Sequence, residues 1–298
     1  MINDGSKDSS SALAHEYQDG YPNVFRVIDK ENGNYGSCVN RGLKEATGKY
    51  VKILDADDYF SYLNFEKFIN YISQVDDDLI LSDYDKVSGD GIILEHHQYE
   101  VEPYKSLIFE MYCSTTTIKG IQMHGVTYKT EKLRCINYIQ TEGISYTDQE
   151  WIFKPMLAVS TFSYFKHSVY KYLIGRNGQT MDSNVIVRSM EQFKLMTYSL
   201  ARTYEIIDEN CSKRKYFDAK LIDNIKFVYN RALLRRNLSI DLLNAYDKKL
   251  KTDFPKSYNV TNSAGIHLKF PFKFIKYYRR KRNYLPFYVN VIYKIMRG

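Results

Sequence analysis

An apolar run that ends in three carboxylates within four residues constrains this chain more than any other feature. Residues 31–60 read ENGNYGSCVNRGLKEATGKYVKILDADDYF. Glu31 to Gly36 is rich in Asn and Gly, a loop composition that tolerates positive φ. Ser37 can cap a helix in which Val39, Leu43 and Ala46 share a face, and Gly48 sits where a left-handed stop belongs. Tyr50 to Leu54 reads as a strand that runs directly into Asp55, Asp57 and Asp58. Carboxylates this close repel by about 1–4 kcal/mol per pair near a surface. Their place at the carboxyl end of a strand makes sense if a cation or a polar ligand sits among them.

At 298 residues the chain can hold one large domain or a domain with an appendage, and its 44% hydrophobic content suffices for a real core. Cys38, Cys113, Cys135 and Cys211 are widely spaced with no CxxC pair, which argues against a zinc site or a disulfide framework and fits a reducing cytoplasm. No signal peptide opens the sequence, and no apolar run approaches the ~20 residues that span a bilayer. Charge is uneven. From Ile266 onward there are nine Lys or Arg and no Asp or Glu, more than the whole net charge of +7, so the body of the chain is slightly acidic.

The order of Gly-rich loop, helix, Thr47-Gly48-Lys49-Tyr50, strand and Asp55-Ala56-Asp57, followed by Asp58, resembles the core of family 2 glycosyltransferases of the GT-A fold. The resemblance runs from Met1 to about Asp182. It implies an α/β chain with a GT-A, Rossmann-like nucleotide-binding sheet flanked by helices and a helical C-terminal extension. The domains expected are 1–182 for the transferase, 183–265 for the extension and 266–298 for a basic, aromatic tail. It also implies Mg²⁺ or Mn²⁺ held chiefly by Asp57, with Asp4 and Asp55 contacting the nucleoside of a UDP-linked sugar. Arg176, in the loop Gly175 to Thr180, is the expected phosphate ligand; Arg41, by contrast, reads as a surface helix residue. Asp148, in GISYTDQEW, aligns with the general base of the inverting enzymes, although Thr147 replaces the usual Glu; Glu150 is the fallback. His124 and Trp151 complete the acceptor-site candidates, each with an alternative reading: a semi-buried histidine and a core aromatic.

Family members carry an initial strand and helix ahead of the residues matched here, so an N-terminally truncated domain with an exposed sheet edge is expected. The function implied is sugar transfer to a saccharide or lipid-linked acceptor in bacterial surface or exopolysaccharide synthesis. The alternative is a non-catalytic module that kept the fold and docks a partner or a membrane. Basic residues interleaved with aromatics in the tail suit an anionic membrane surface, placing the chain in the cytoplasm at the inner face of the cell membrane. With an acidic body and no recognisable nucleic-acid motif, nucleic acid is not an expected partner. Local patterning adds a strand over 23–29, a helix burying Phe65, Phe68, Ile69 and Ile72, and a short strand at Leu79 to Ser82. A polar turn is expected from Asp83 to Gly91, with His96 and His97 exposed and unrecruited.

Overall fold

The computed structural model describes residues 1–175, 189–235, 238–267 and 271–281. They form two compact units, Met1–Phe109 with Ile121–Arg176, and Glu110–Gly120 with Asn177–Gly298.

The first unit opens with strand β1 (Ile2–Asn3), helix α1 (Ser10–Gly20) and strand β2 (Ile28–Asp29), in which β1 and β2 pair in parallel as a two-stranded sheet. The strand expected over 23–29 is only these last two residues. Asn23 to Val27 find no neighbouring strand: Val24 is 74% exposed and the Val27 N–H is taken by the Gln18 side chain at 2.6 Å. Helix α2 (Asn34–Glu45) begins three residues before Ser37, whose hydroxyl donates to the Asn34 carbonyl inside the first turn (2.7 Å) rather than capping. It stops at Ala46 in extended backbone, so Gly48 is not its terminator.

The second sheet has seven strands: β3 (Tyr50–Val51), β4 (Tyr59–Phe60), β5 (Leu79–Val87), β6 (Ile93–His97), β7 (Leu107–Ile108), β8 (Val126–Lys129) and β9 (Thr161–Leu173). Their order is β3-β8-β5-β9-β4, with β6 on β5 and β7 on β9. β5 and β9 run parallel at its centre, and β5 is nearly continuous in buried residues, as expected for a strand covered on both faces. Helix α3 (Tyr62–Gln74) packs here, with Phe68, Ile80, Phe165 and Val169 at the core and Phe65 and Ile72 against them. Ile69 departs from the expected stripe and is 45% exposed.

β5 runs five residues past the expected Ser82, through Asp83 and Asp85. Acidic residues signal a turn, but here each carboxylate has a partner in the sheet: Tyr164 donates to Asp83 at 2.6 Å, and Lys171 and His96 pair with Asp85. The β5–β9 register also slips. Ser82 pairs with Phe165, Asp83 with Ser168 and Tyr84 with Tyr170, so Lys166 and His167, and then Val169, are extra residues on β9.

The second unit contains helices Met190–Glu205, Arg214–Tyr229, Ile240–Asp253, Pro255–Val260 and Phe274–Arg280. Leu221, Ile225, Val228 and Ala232 are all buried, the last in a π turn that continues the second helix. Glu205 caps the helix Pro255–Val260 by accepting from the N–H groups of Lys256 (3.1 Å) and Ser257 (2.8 Å). The start of the basic tail packs within this unit. Phe274, Ile275 and Tyr278 are buried, and Arg279 pairs with Asp247 at 2.8 Å and stacks 3.6 Å over Tyr258. Residues 282–298 lie outside the described residues. Among the described residues no helix is long and apolar enough to cross a membrane.

Phe68, 1% exposed, fills the centre of the α3–sheet contact and meets Phe165 edge-on at 5.4 Å. Phe68→Ala is expected to cost about 3–5 kcal/mol through lost burial and the cavity left behind, measured as a lower midpoint in urea unfolding.

Candidate active site

The acidic turn between β3 and β4 is tied to β9. The Asp58 N–H closes the turn onto the Asp55 carbonyl at 3.0 Å. The Tyr170 hydroxyl donates to Asp58 Oδ2 at 2.6 Å and accepts from the Asp55 N–H at 3.2 Å, while the Leu173 N–H donates to Asp58 Oδ1 at 2.8 Å. Burial, followed by the neighbouring Asp55 and Asp58 charges, pushes the Tyr170 phenol well above its ordinary range, so it remains a donor. A tyrosine buried in β9 thus fixes the loop that the sequence singled out.

His124 stands in a short 3-10 turn just before β8, stacked on Tyr172 at 4.2 Å, tilted on Tyr84 at 5.2 Å and edge-on to Tyr170 at 5.0 Å. Burial, and then the nearby Lys52 charge, hold its pKa down to about 3, so the imidazole is neutral with a lone pair to offer. Its buried Nδ1 has no hydrogen-bond partner. One donor atom each from Asp55, Asp58 and His124 lie within 4.8 Å of one another. Two carboxylates and a neutral imidazole can hold a divalent cation, and the imidazole favours Mn²⁺ over Mg²⁺. Asp57 lies on the exposed side of the turn and contributes no atom to this cluster.

Helix α2 brings two further groups. Asp4, just after β1, pairs with Lys30 and accepts from the Gly33 N–H at 3.0 Å, so it sits at the start of α2 rather than among the other carboxylates. Tyr35, the second residue of α2, hydrogen-bonds Asp55 and lies near Asp148; burial, then the Asp55 charge, raises its pKa far above the usual range. Arg41 pairs along the helix with Glu45 at 3.0 Å.

Asp148 opens the short helix Asp148–Trp151 and accepts from the Gln149 side chain at 2.9 Å. The loop before it is clamped to α2. Asn40 donates to the Gln140 carbonyl (2.9 Å) and accepts the Gln140 N–H (2.8 Å), and the Gly143 N–H reaches the Gly33 carbonyl at 3.1 Å. Gly36 permits this approach: a Cβ there would lie 1.9 Å from the Thr141 carbonyl oxygen. Glu150 is fully buried, accepting from Thr141 N–H and Oγ (2.9 and 2.6 Å) and paired with Lys154 at 2.9 Å, so it holds the same loop. Trp151 is fully buried among Tyr128 and Tyr138, in the core rather than in an open wall. Arg176 lies outside the described residues.

Patterning alone misses Tyr35, Tyr170, Tyr172 and Lys52. Lys52 donates to the His124 carbonyl at 2.7 Å and the Val126 carbonyl at 3.2 Å, and burial pushes its ammonium down to about 7. A lysine within an otherwise apolar strand was the available signal.

Burial raises Asp55 from 3.8 to about 7, against the Tyr35 hydrogen bond and with the Asp58, Asp148 and Asp57 charges adding to it. A carboxyl whose folded pKa exceeds its unfolded value keeps a proton that the unfolded chain has released, so it removes stability as pH rises from about 4 to about 7. Asp55→Asn is therefore expected to stabilise the unliganded protein by at least about 1 kcal/mol at pH 8, with the gain vanishing near pH 4, read from unfolding curves at both values. Gly36→Ala is expected to lose about 1–3 kcal/mol in the same assay as α2 and the loop 140–143 are forced apart.

Residues 1–136 match the family model described as Glycosyl transferase family 2. The chain is 31% identical over 139 residues to the minor teichoic acid biosynthesis protein GgaB of Bacillus subtilis (strain 168), covering 43% of this chain and 15% of GgaB. It is 28% identical over 189 residues to the uncharacterized glycosyltransferase YibD of Escherichia coli (strain K12), covering 58% of this chain and 52% of YibD. The chain thus matches about half of one relative's length and much less of the other's. Among solved structures, S. aureus TarS 1–349 in complex with UDP-GlcNAc aligns with a TM-score of 0.60 at 17% identity, covering 96% of this chain and 83% of that one. At this identity the likeness speaks for the fold, which is GT-A. The family match is thus to glycosyl transferase family 2, over residues 1–136.

Proposed function

We propose that the chain is an inverting glycosyltransferase that moves a sugar from a UDP-linked donor to a saccharide or lipid-linked acceptor. The observation that carries the reading is the meeting of Asp55, Asp58 and His124 as a cation-holding set with Asp148 in electrostatic reach of Asp55. Residues 1–182 are the transferase domain in this reading and 183–265 its helical extension.

Asp55, Asp58 and His124 would hold Mn²⁺ or Mg²⁺, with Asp57 on the exposed side of the same turn as a further carboxylate ligand. When bound, the ion neutralises charge that develops on the departing diphosphate. Tyr170 and the Leu173 N–H keep the acidic turn in register with β9 before any ligand arrives, so little reorganisation is needed on binding. Asp4 at the start of α2 and Asp55 contact the nucleoside, and Arg176 the diphosphate. Asp148 takes the proton from the acceptor hydroxyl as its oxygen bonds to C1 of the sugar and the C1–O bond to the diphosphate breaks on the opposite face. Glu150, committed to Thr141 and Lys154, supports the loop that carries Asp148.

GgaB carries teichoic acid biosynthesis in its name and TarS was solved with UDP-GlcNAc, which supports an acceptor in surface-polysaccharide assembly and a uridine-linked donor here. The basic, aromatic end of the chain supports work at an anionic membrane surface on the cytoplasmic side.

Calorimetric titration with UDP tests the donor side: heat is expected with Mn²⁺ present and not with chelator, and its absence in both would sink the reading. For the chemistry, Asp148→Asn is expected to lower kcat by about 10²–10⁴-fold while leaving UDP–Mn²⁺ affinity within error of the parent. An unchanged turnover would remove Asp148 from the role of base.

A further inference from the structure

The central strands carry two sets of side chains. Residues paired across a sheet point to the same face, and successive residues to opposite faces. The row Tyr84, His97 and Tyr170 therefore faces one way, toward His124 and the acidic turn, and the next row, Asp85, His96 and Lys171, faces the other. On that second face lies a cavity of about 470 Å³. Nothing in the transfer chemistry uses it.

The cavity has a built floor and wall. Asp83 and Asp85 line it although each is only 2% exposed, and each is held: Asp83 by the Tyr164 hydroxyl at 2.6 Å, Asp85 by Lys171 and by His96 Nδ1 at 2.6 Å. His96 Nε2 then lies 3.9 Å from Asp83 Oδ2. Burial raises the pKa of Asp83, as fits a carboxylate with little solvent. The first slip in the β5–β9 register matters here, since the residues that it inserts, Lys166 and His167, both line the cavity. Bulges that re-aim side chains cluster at functional sites. Asn64 from α3 and Gln98 beyond β6 add neutral amides.

The charges select the ligand class. Two carboxylates in the lining disfavour an anion, two lysines disfavour a metal ion, and apolar surface lying among charged and amide groups suits a ligand that has both apolar and polar faces. A neutral ligand dense in both donors and acceptors satisfies all of these groups, and the volume suits a small molecule. We propose that this cavity is a second, non-catalytic site that binds a neutral polyhydroxylated ligand, a saccharide unit. That the unit belongs to the acceptor chain rests on the transferase reading; binding itself does not.

The test uses the full chain with labelled histidine, its six imidazole NMR signals assigned by single substitutions. Glucose, galactose and N-acetylglucosamine are titrated without UDP or metal, with inorganic phosphate and Zn²⁺ in parallel. At least one sugar is expected to shift the His96 and His167 signals saturably while leaving His124 unmoved. Asp83→Asn should weaken that response roughly tenfold, as for the loss of a charge-assisted hydrogen bond. Gln98→Ala on the rim should weaken it as well, which covers the case in which the Asp83 variant does not fold. No saturable shift with any of the three sugars, shifts with phosphate or Zn²⁺ alone, or shifts indifferent to both variants would each overturn the proposal. A chain that binds sugar here but gives no heat with UDP and Mn²⁺ would keep this site and lose the transferase reading; the converse result would do the opposite.

Discussion

The parallel pairing of β5 with β9 is the constraint on which the rest of the first unit depends. It joins residues some eighty apart in sequence, from Leu79 with Phe162 to Val87 with Leu173, and buries both strands. Because side chains alternate across it, one register sets two chemistries at once. Tyr170 and Tyr172 are delivered to the acidic turn and His124, while Lys171 is delivered to Asp85 on the other face. A slip of one residue would exchange the faces. The two bulges near Asp83 are absorbed before Tyr84, so the rows at the carboxyl end stay aligned.

Around the acidic turn the fold manages like-charge repulsion in two ways. Asp58 is met by donors, with the Tyr170 hydroxyl on one oxygen and the Leu173 N–H on the other. Asp55 receives the Tyr35 hydroxyl but is buried beside Asp58, Asp57 and Asp148, and its pKa rises to about 7. The unliganded site therefore holds unrelieved charge, which a cation would relieve. Stability is given up at the place where a ligand is to be bound, a common trade between activity and stability.

Much of this was legible in the chain. The loop, helix, strand and Asp55-Ala56-Asp57-Asp58 lie together in sequence and form a contiguous piece of the fold, so local patterning and family resemblance both find them. The core face of α3 at Phe65, Phe68 and Ile72 follows from periodicity. Readings failed where a polar residue acquired a distant partner. Asp83 and Asp85 look like turn residues until Tyr164, Lys171 and His96 are set beside them, and His96 looks unrecruited for the same reason. Asn23 to Val27 erred the other way: their alternation suits a strand, yet the described fold offers no neighbour to pair with.

By itself the sequence carried the likeness to glycosyl transferase family 2 over residues 1–136, the α/β class and the acidic turn, because these rest on local order, composition and residue types that survive without three-dimensional contacts. Only the tertiary structure decided which groups stand around that turn. His124 joins Asp55 and Asp58 rather than standing apart, Glu150 and Trp151 are drawn into support and core, and Tyr35, Tyr170 and Lys52 enter unannounced. The reason is range. Capping, turns and hydrophobic period act over a few residues, whereas the meeting of Asp58 with Tyr170, 112 positions away, is set by strand register and by which face each side chain takes.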